Sequence, residues 1–249
     1  MIRWYKVVTG WESWNEQMSS RHQAYLDFLA PRLDKSWRIL SIACGNAWTE
    51  RALQPQLDTP ILCTDYFPAD TNIVAFDALR SPLPPEKFDA ILCLSFIYGI
   101  DDHQLLHLLQ RIRTMLKPNG ILFLDSAGPA PSLLVWCWNH LYIALENAVA
   151  GVLQWHHTYW THHGYWRSDR DLLEAVETVG ICRVSMTPLD PYTELSRSRL
   201  YRLVLSRFSL SRWAGEWLGR QMPYVRMVTV QWEHPQERKR RDETTMDYA

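Results

Sequence analysis

Several things are missing from this 249-residue chain. It has no Cys-x-x-Cys pair, no internal repeat and no long linker. Its first residues, MIRWYKVVTGWESW, hold no apolar core of the kind a secretory signal needs, so no such signal is expected. No recognised nucleic-acid module is present, so nucleic acid is not expected as a partner. Glycine is scarce where a strand-to-helix cofactor turn would want it. The stretch ILSIACGNAW, residues 39–48, has one glycine, Gly45. The five cysteines (Cys44, Cys63, Cys93, Cys137 and Cys182) lie in part in apolar, strand-like runs. They read as buried free thiols rather than a disulfide framework, which implies a reducing, cytoplasmic compartment.

What is present fits one soluble globular domain with one large core: 47% hydrophobic and 21% charged residues. Tryptophan is abundant, with 13 residues, mostly away from the centre of the chain (Trp4, Trp11, Trp14, Trp136, Trp138, Trp155, Trp160, Trp166, Trp213, Trp217). Charge is uneven. Residues 1–196 carry 15 basic and 21 acidic side chains, a balance of −6, while residues 197–249 carry 11 and 6, a balance of +5. The basic end suits a phosphate, an anionic membrane surface or nucleic acid. The plainer reading, a solvated arginine-rich helix and a disordered tail over 236–249, is preferred.

Strand and helix patterns alternate. A helix is expected over 13–30, ending at Pro31. Strands are expected at RILSIA (38–43), ILCTD (61–65), NIVAFD (72–77), FDAILCLS (88–95), ILFLDSA (121–127), ICRVSMTPL and YVRMVTVQW (224–232). A short helix begins near Trp48 and is ended by Pro55. DDHQLLHLLQRIRTML (101–116) is a periodic helix closed by KPNG, and SDRDLLEAVETVG (168–180) is a helix with Ser168 as N-cap and Gly180 at its end. Apolar strands alternating with helices imply a parallel sheet covered on both faces. Ligands of such sheets sit beyond the carboxyl ends of the strands.

The residues just after the strands are therefore the candidates. After the first come Ala43, Cys44, Gly45, Asn46 and Ala47, all small or modest, which lets a ligand approach the backbone. Asp65, followed by Tyr66, stands 20 residues beyond Gly45, where a carboxylate can take ribose hydroxyls. Asp77 and Ala78 follow the third strand, and Ser95 and Tyr98 the fourth.

From about Arg38 to Gly180 the chain resembles the class I S-adenosylmethionine-dependent methyltransferases of the small-molecule type. ILSIACGNA stands where that family has its glycine-rich first motif, LCTDYF its second-strand acidic motif, and FDALRSPLPPEKFDAILCLSFIYGIDD its third and fourth. LLQRIRTMLKPNGILFLD matches the next helix, turn and strand and is the most specific stretch; HHGYWRSDRDLLEAVETVGI resembles the segment leading into the following helix. The resemblance implies an α/β fold: a seven-stranded Rossmann-like sheet, order 3-2-1-4-5-7-6 with the last strand antiparallel, helices on both faces and a helical lid insertion. It implies S-adenosylmethionine as cofactor. Asp65 would take the ribose and Asp77 with Ala78 the adenine edge. Ala43, Gly45 and the backbone near Ser95 would take the methionine part. Two departures stand out: Ser41 replaces a usual acidic residue, and Ala43 and Ala47 replace usual glycines. Either the loop avoids strain with φ below zero, or it holds the cofactor weakly.

Methyl transfer from a sulfonium is mainly a matter of alignment, with a base needed if the acceptor is a hydroxyl. In QWHHTYWTHHGYW the histidines His156, His157, His162 and His163 are candidates, with His163 and then His162 preferred as the base and Tyr98 as a further pocket residue. A metal site is not expected, because no single element aims all four histidines at one point. His103 and His107 read as surface residues of their helix. SLLVWCWNHLYIALENAVAGVLQW (132–155) is apolar with one narrow polar stripe, which reads as a lid over an apolar or aromatic acceptor; the alternative is a helix on a membrane surface or in a dimer interface.

The expected organisation is one methyltransferase domain over 1–235, with a lid insertion at 128–165 and a second helical insertion at 195–222. The expected activity is methyl transfer to a small-molecule acceptor at oxygen. Three alternatives stay open: a lipid- or glycan-linked acceptor at a membrane surface, methylation at nitrogen or carbon, and a cofactor-free scaffold with a degenerate site.

Overall fold

The structure, a computed structural model, describes residues 22–127, 167–189 and 225–233. The expected lid at 128–165, the second insertion at 195–222, the start of the first helix and the tail at 236–249 lie outside or largely outside these residues. The strands are β1 (Ile39–Ile42), β2 (Leu62–Asp65), β3 (Val74–Ala75), β4 (Phe88–Cys93), β5 (Leu116–Ala127), β6 (Cys182–Pro188) and β7 (Val225–Trp232). They form one sheet in the order β3-β2-β1-β4-β5-β7-β6. β1 runs parallel to β2 and β4, β2 to β3, and β4 to β5. β7 lies antiparallel between β5 and β6. Order and strand directions are those the sequence led us to expect.

The central strands of the sheet are buried on both faces, while β3 and β6 at its edges are largely exposed or half-buried, and the side-chain period of two sorts each strand between the faces. Leu40, Ile42, Ile91, Cys93, Leu122 and Leu124 face one side. They pack there against α3 (Asp102–Met115) and α4 (Asp169–Val179). Ile39, Ala90, Leu92 and Phe123 face the other side. They meet Tyr25, Phe28 and Leu29 of α1 (described over 22–29) and Leu53 of α2 (Trp48–Leu53). α3 buries Leu105, Leu108, Leu109, Ile112 and Met115 at helical spacing. Removing five such side chains from water stabilises the fold by on the order of 10 kcal/mol. Its start is set by a capping box in which the Asp101 carboxylate accepts from the Gln104 amide and the Gln104 side chain accepts from the Asp101 amide. Ser168 and Asp171 repeat the device at α4.

The structure departs from expectation in local ways. β3 spans two residues instead of six, because an Asx turn at Asp70–Asn72 precedes it and the Asp77 turn follows. Pro55 does not simply end α2; it starts a 3-10 turn, Gln54–Gln56. The KPNG segment does not lie outside the sheet. β5 begins at Leu116, and its register against β4 jumps from Phe88–Leu116 to Ala90–Ile121, so Lys117–Gly120 form a bulge. Gly120 sits so close to Leu116, Lys117 and Phe88 that any Cβ there would lie 3.0 Å from each. His103 and His107 are on the surface, as expected. Among the described residues Cys44, Cys63, Cys93 and Cys182 are free thiols. No described helix is long and apolar enough to cross a membrane.

One buried cation ties α4 to the β4 loop. Arg167 donates to the carbonyls of Ile97 (2.8 Å) and Ile100 (2.7 Å) and to the Asp102 carboxylate (2.8 Å). Arg167→Ala should lower unfolding free energy by roughly 3 kcal/mol, since it leaves two carbonyls unpaired. Asp102→Ala should cost less than about 1 kcal/mol, its side chain being 86% exposed. Urea denaturation of the two variants checks the contrast. A second prediction concerns Ala43, which holds φ at 55°. Ala43→Gly relieves about 1–2 kcal/mol of left-handed strain and loses roughly 0.5–1 kcal/mol to chain entropy, for a net gain near 0.5 kcal/mol. Ala43→Val, β-branched and excluded from that region, should lose about 2 kcal/mol or more in the same assay.

Candidate functional site

Because β1, β2, β3, β4 and β5 are parallel, their carboxyl ends share one edge, and the loops that follow them line it. The loop after β1 is built from left-handed residues: Ala43 (φ 55°), Gly45 (58°) and Ala47 (53°). Of the two outcomes that the sequence left open for the alanines, escape into negative φ is not the one adopted. They adopt the glycine-like conformation, held by three backbone bonds. The Cys44 amide donates to the Thr64 carbonyl (3.0 Å), the Ala47 amide to the Cys44 carbonyl (2.9 Å), and the Arg51 amide to the Ala47 carbonyl (2.9 Å). Asn46 is the turn residue between Gly45 and Ala47, in a five-residue span, 43–47, with only one true glycine.

Asp65 closes this loop from β2. Its carboxylate accepts the Gly45 amide (2.9 Å) and the Phe67 amide (2.8 Å). Burial pushes its ionisation upward, and the backbone amides of Phe67, Gly45 and Tyr66 pull against that. Tyr66 and Phe67, just beyond it, present exposed rings at right angles with centroids 4.5 Å apart. Asp77 heads a tight turn: its carboxylate accepts the Leu79 amide (2.8 Å) and its own amide donates to Ser81 Oγ (2.9 Å). Ala78 is buried in that turn, and Arg111 Nε donates to its carbonyl (2.7 Å). The cofactor candidates after β1, β2 and β3 thus flank one edge.

Beyond β4, Ser95 also has left-handed backbone (φ 57°). Its amide donates to Asp125 Oδ1 (2.5 Å), and the Tyr25 hydroxyl of α1 donates to Asp125 Oδ2 (2.5 Å). Tyr25 Oη lies 3.2 Å from Ser95 Oγ. Asp125 is fully buried at the end of β5. Tyr98 falls in the 3-10 turn Ile97–Gly99 after this point. His162 and His163, the expected bases, lie outside the described residues, as do His156 and His157.

The carboxylate missing at Ser41 is supplied by another residue. Ser41, fully buried on the α1–α2 face, donates its hydroxyl to Glu50 Oε1 at 2.6 Å, and Glu50 is itself 4% exposed. Burial pushes the Glu50 carboxyl well above the ordinary range, and the Ser41 hydroxyl only partly offsets this. The Cys44 thiol is also driven far above its ordinary value, first by its contact with the Cys63 thiol and then by burial. Neighbouring α1 and α2 are joined by His22 Nδ1 and Thr49 Oγ1, 3.0 Å apart.

Sequence reading alone missed Glu50, Tyr25 and Asp125. Asp125 carried a visible signal, a single carboxylate inside the apolar strand ILFLDSA. Glu50 and Tyr25 carried none. Each sits in a helix whose buried face was settled only by how that helix lies on the sheet.

A family model described as a methyltransferase domain matches residues 14–182. No match to the chain was found among curated proteins. Among solved structures the chain is similar to an S-adenosylmethionine-dependent methyltransferase from Archaeoglobus fulgidus (18% identity, TM-score 0.59, 90% of this chain and 99% of that one). It is also similar to magnesium protoporphyrin IX methyltransferase from Synechocystis PCC 6803 (13%, 0.54, 93% and 98%). The methyltransferase SibL matches with 15% identity and a TM-score of 0.58 over 90% of this chain, which spans 57% of SibL's length. At these identities the likeness is one of fold. The family match covers well over half of the chain and agrees with the strand order and the loop–carboxylate pair, so the protein belongs to the class I S-adenosylmethionine-dependent methyltransferase family, with S-adenosylmethionine as its cofactor.

Proposed function

We propose that this protein transfers the methyl group of S-adenosylmethionine to a small, partly apolar or aromatic molecule at oxygen. The observation that carries the reading is the loop over 43–47, wound left-handed and closed onto Asp65. That arrangement keeps side chains away from one backbone surface and sets a carboxylate beside it. In this reading Asp65 holds the ribose hydroxyls, Tyr66 offers its exposed ring to the purine, and the Asp77–Ala78 turn takes the adenine edge. Ala43, Cys44, Gly45 and Asn46 cradle the methionine part, together with the Ser95 backbone.

S-adenosylmethionine supplies an electrophilic methyl on a cationic sulfur, which leaves as a neutral thioether and needs no acid. The chain has to align the acceptor, exclude water and receive a proton. Tyr25, Ser95 and Asp125 form the polar floor on the acceptor side. Asp125 accepts from both Tyr25 and the Ser95 amide, which fixes that floor in place. His163, or His162, takes the hydroxyl proton of the acceptor, with Tyr98 lining the same pocket. The apolar character of 132–155 supports an apolar or aromatic acceptor. Cytoplasmic location is part of the proposal and rests on the free thiols.

Calorimetric titration with S-adenosylmethionine and its demethylated product tests the cofactor assignment. Micromolar binding is expected for the native chain, and Asp65→Ala should weaken it by roughly 30- to 100-fold, the worth of a charged hydrogen-bond partner lost. No binding at millimolar cofactor by folded protein would sink the enzyme reading in favour of a scaffold. A screen of phenols, carboxylic acids and amines for release of the demethylated product tests the acceptor. With a phenolic acceptor, His163→Ala should reduce kcat by about 100-fold or more, with the native rate falling as pH drops below about 6.5. Full rate in that variant would point to nitrogen or carbon as the atom methylated.

A further inference from the structure

Glu50 has a role that the loop geometry alone does not demand. Its side chain is 4% exposed, and its polar contacts among the described residues are the Ser41 hydroxyl and its own backbone amide. No described cation lies within ion-pair distance of it. The neighbouring Arg51 turns its guanidinium outward to Asp70 and is 57% exposed. A carboxylate removed from water needs an opposite charge close by, and without one it keeps its proton. Its position matters as much as its burial. Ser41 stands two residues before Ala43, and Glu50 lies in the first turn of α2, three residues after Ala47. The two meet beneath the loop that they bracket.

S-adenosylmethionine carries a sulfonium, an ammonium and one carboxylate, a net charge of +1 by its structure. Seated on the loop, that net positive charge would be the opposite charge that the buried Glu50 carboxyl lacks. We propose that Glu50 is a neutral acid in the free protein and gives its proton to solvent when S-adenosylmethionine binds, so that cofactor binding releases a proton and tightens as pH rises. Glu50 is in this sense a positioning residue for the cationic cofactor, and the proposal rests on the cofactor reading above. The atoms balance simply: the O–H bond of the carboxylic acid breaks, the proton goes to buffer, and the carboxylate stays behind as counter-ion.

The sign follows from linkage. The cofactor favours ionised Glu50, so the carboxyl ionises more readily in the complex than in the free protein. Affinity then rises with pH across the interval between the two states and levels off above it. Other titratable groups face the same spot. They are the thiols of Cys44 and Cys63, the Asp65 carboxyl on the far side of the loop, Arg51 in α2, and His22 of α1 through Thr49. Asp65 is the chief competitor: burial pushes its ionisation upward as well, and the backbone amides of Phe67 and Gly45 offset this only in part, so the Glu50→Gln variant is what separates the two groups.

The test is calorimetry of the full chain with S-adenosylmethionine in phosphate and in Tris, two buffers with different heats of ionisation, repeated across pH. The native protein should show a buffer-dependent heat corresponding to release of up to about one proton, and an affinity that weakens by up to about tenfold per pH unit on the acid side. Glu50→Gln keeps the shape and the hydrogen bond but cannot titrate; its heat should be the same in both buffers and its affinity flat with pH. Ser41→Ala removes a donor that favours the ionised form. It should shift the pH dependence upward, which tests the idea independently if Glu50→Gln fails to fold. Tight binding by the native protein with identical heats in both buffers would overturn the proposal and leave the methyltransferase reading standing. So would a proton release that Glu50→Gln retains, which would assign it to Asp65. Absence of binding by the folded native chain would remove both.

Discussion

A parallel sheet has to be covered on both faces, and nearly everything in this molecule follows from that constraint. Parallel neighbours cannot be joined by a tight hairpin, so the chain crosses over between strands and lays helices on the sheet. α1 and α2 cover one face, and α3 and α4 the other. The crossovers also bring the ends of β1, β2, β3, β4 and β5 to a common edge. Backbone donors and carboxylates far apart in sequence meet there without any special device. Asp65 reaches the Gly45 amide across 20 residues, and Asp125 reaches the Ser95 amide across 30.

At that edge the loop after β1 achieves with two alanines what glycines achieve at lower strain. Ala43 and Ala47 are held left-handed because their neighbours over-determine them. Thr64 binds the loop backbone from β2, Asp65 binds Gly45, and α2 continues from Ala47. The acidic group that Ser41 lacks returns nine residues later as Glu50, joined to the Ser41 hydroxyl. The loop is thus rebuilt with a different division of labour between strand and helix. Despite the sequence departures at Ser41, Ala43 and Ala47, the left-handed turn and a buried carboxyl group are both present.

The fold was legible to the extent that burial is periodic along the chain. RILSIA, FDAILCLS and ILFLDSA are mostly apolar, and DDHQLLHLLQRIRTML repeats at helical spacing; each formed the expected element to within two residues, except that β5 begins at Leu116 rather than Ile121. β3 was overread, because NIVAFD has strand-like residues but hydrogen-bonds largely to its own turns. The KPNG bulge was missed because nothing in those residues announces that they still follow β4. The places of Asp65, Asp77, Ser95 and the 43–47 loop at the carboxyl edge were legible because each stands at the end of a strand or within two residues of it. Glu50, Tyr25 and Asp125 were not, because a polar residue in a helix or strand declares its role only through what it touches.

The amino-acid order by itself determined which segments are strands and helices, that the central strands are buried on both faces, and which loops end at the carboxyl edge. It could do so because burial pattern and backbone propensity are local and periodic, so each segment carries its own record. The tertiary structure alone decided that Ser41 meets Glu50, that Tyr25 from α1 reaches Asp125 on β5, and that two alanines take left-handed backbone. Those outcomes depend on how helices are oriented on the sheet and on the cost of leaving a buried polar group without a partner. Both are settled only when all the layers are assembled.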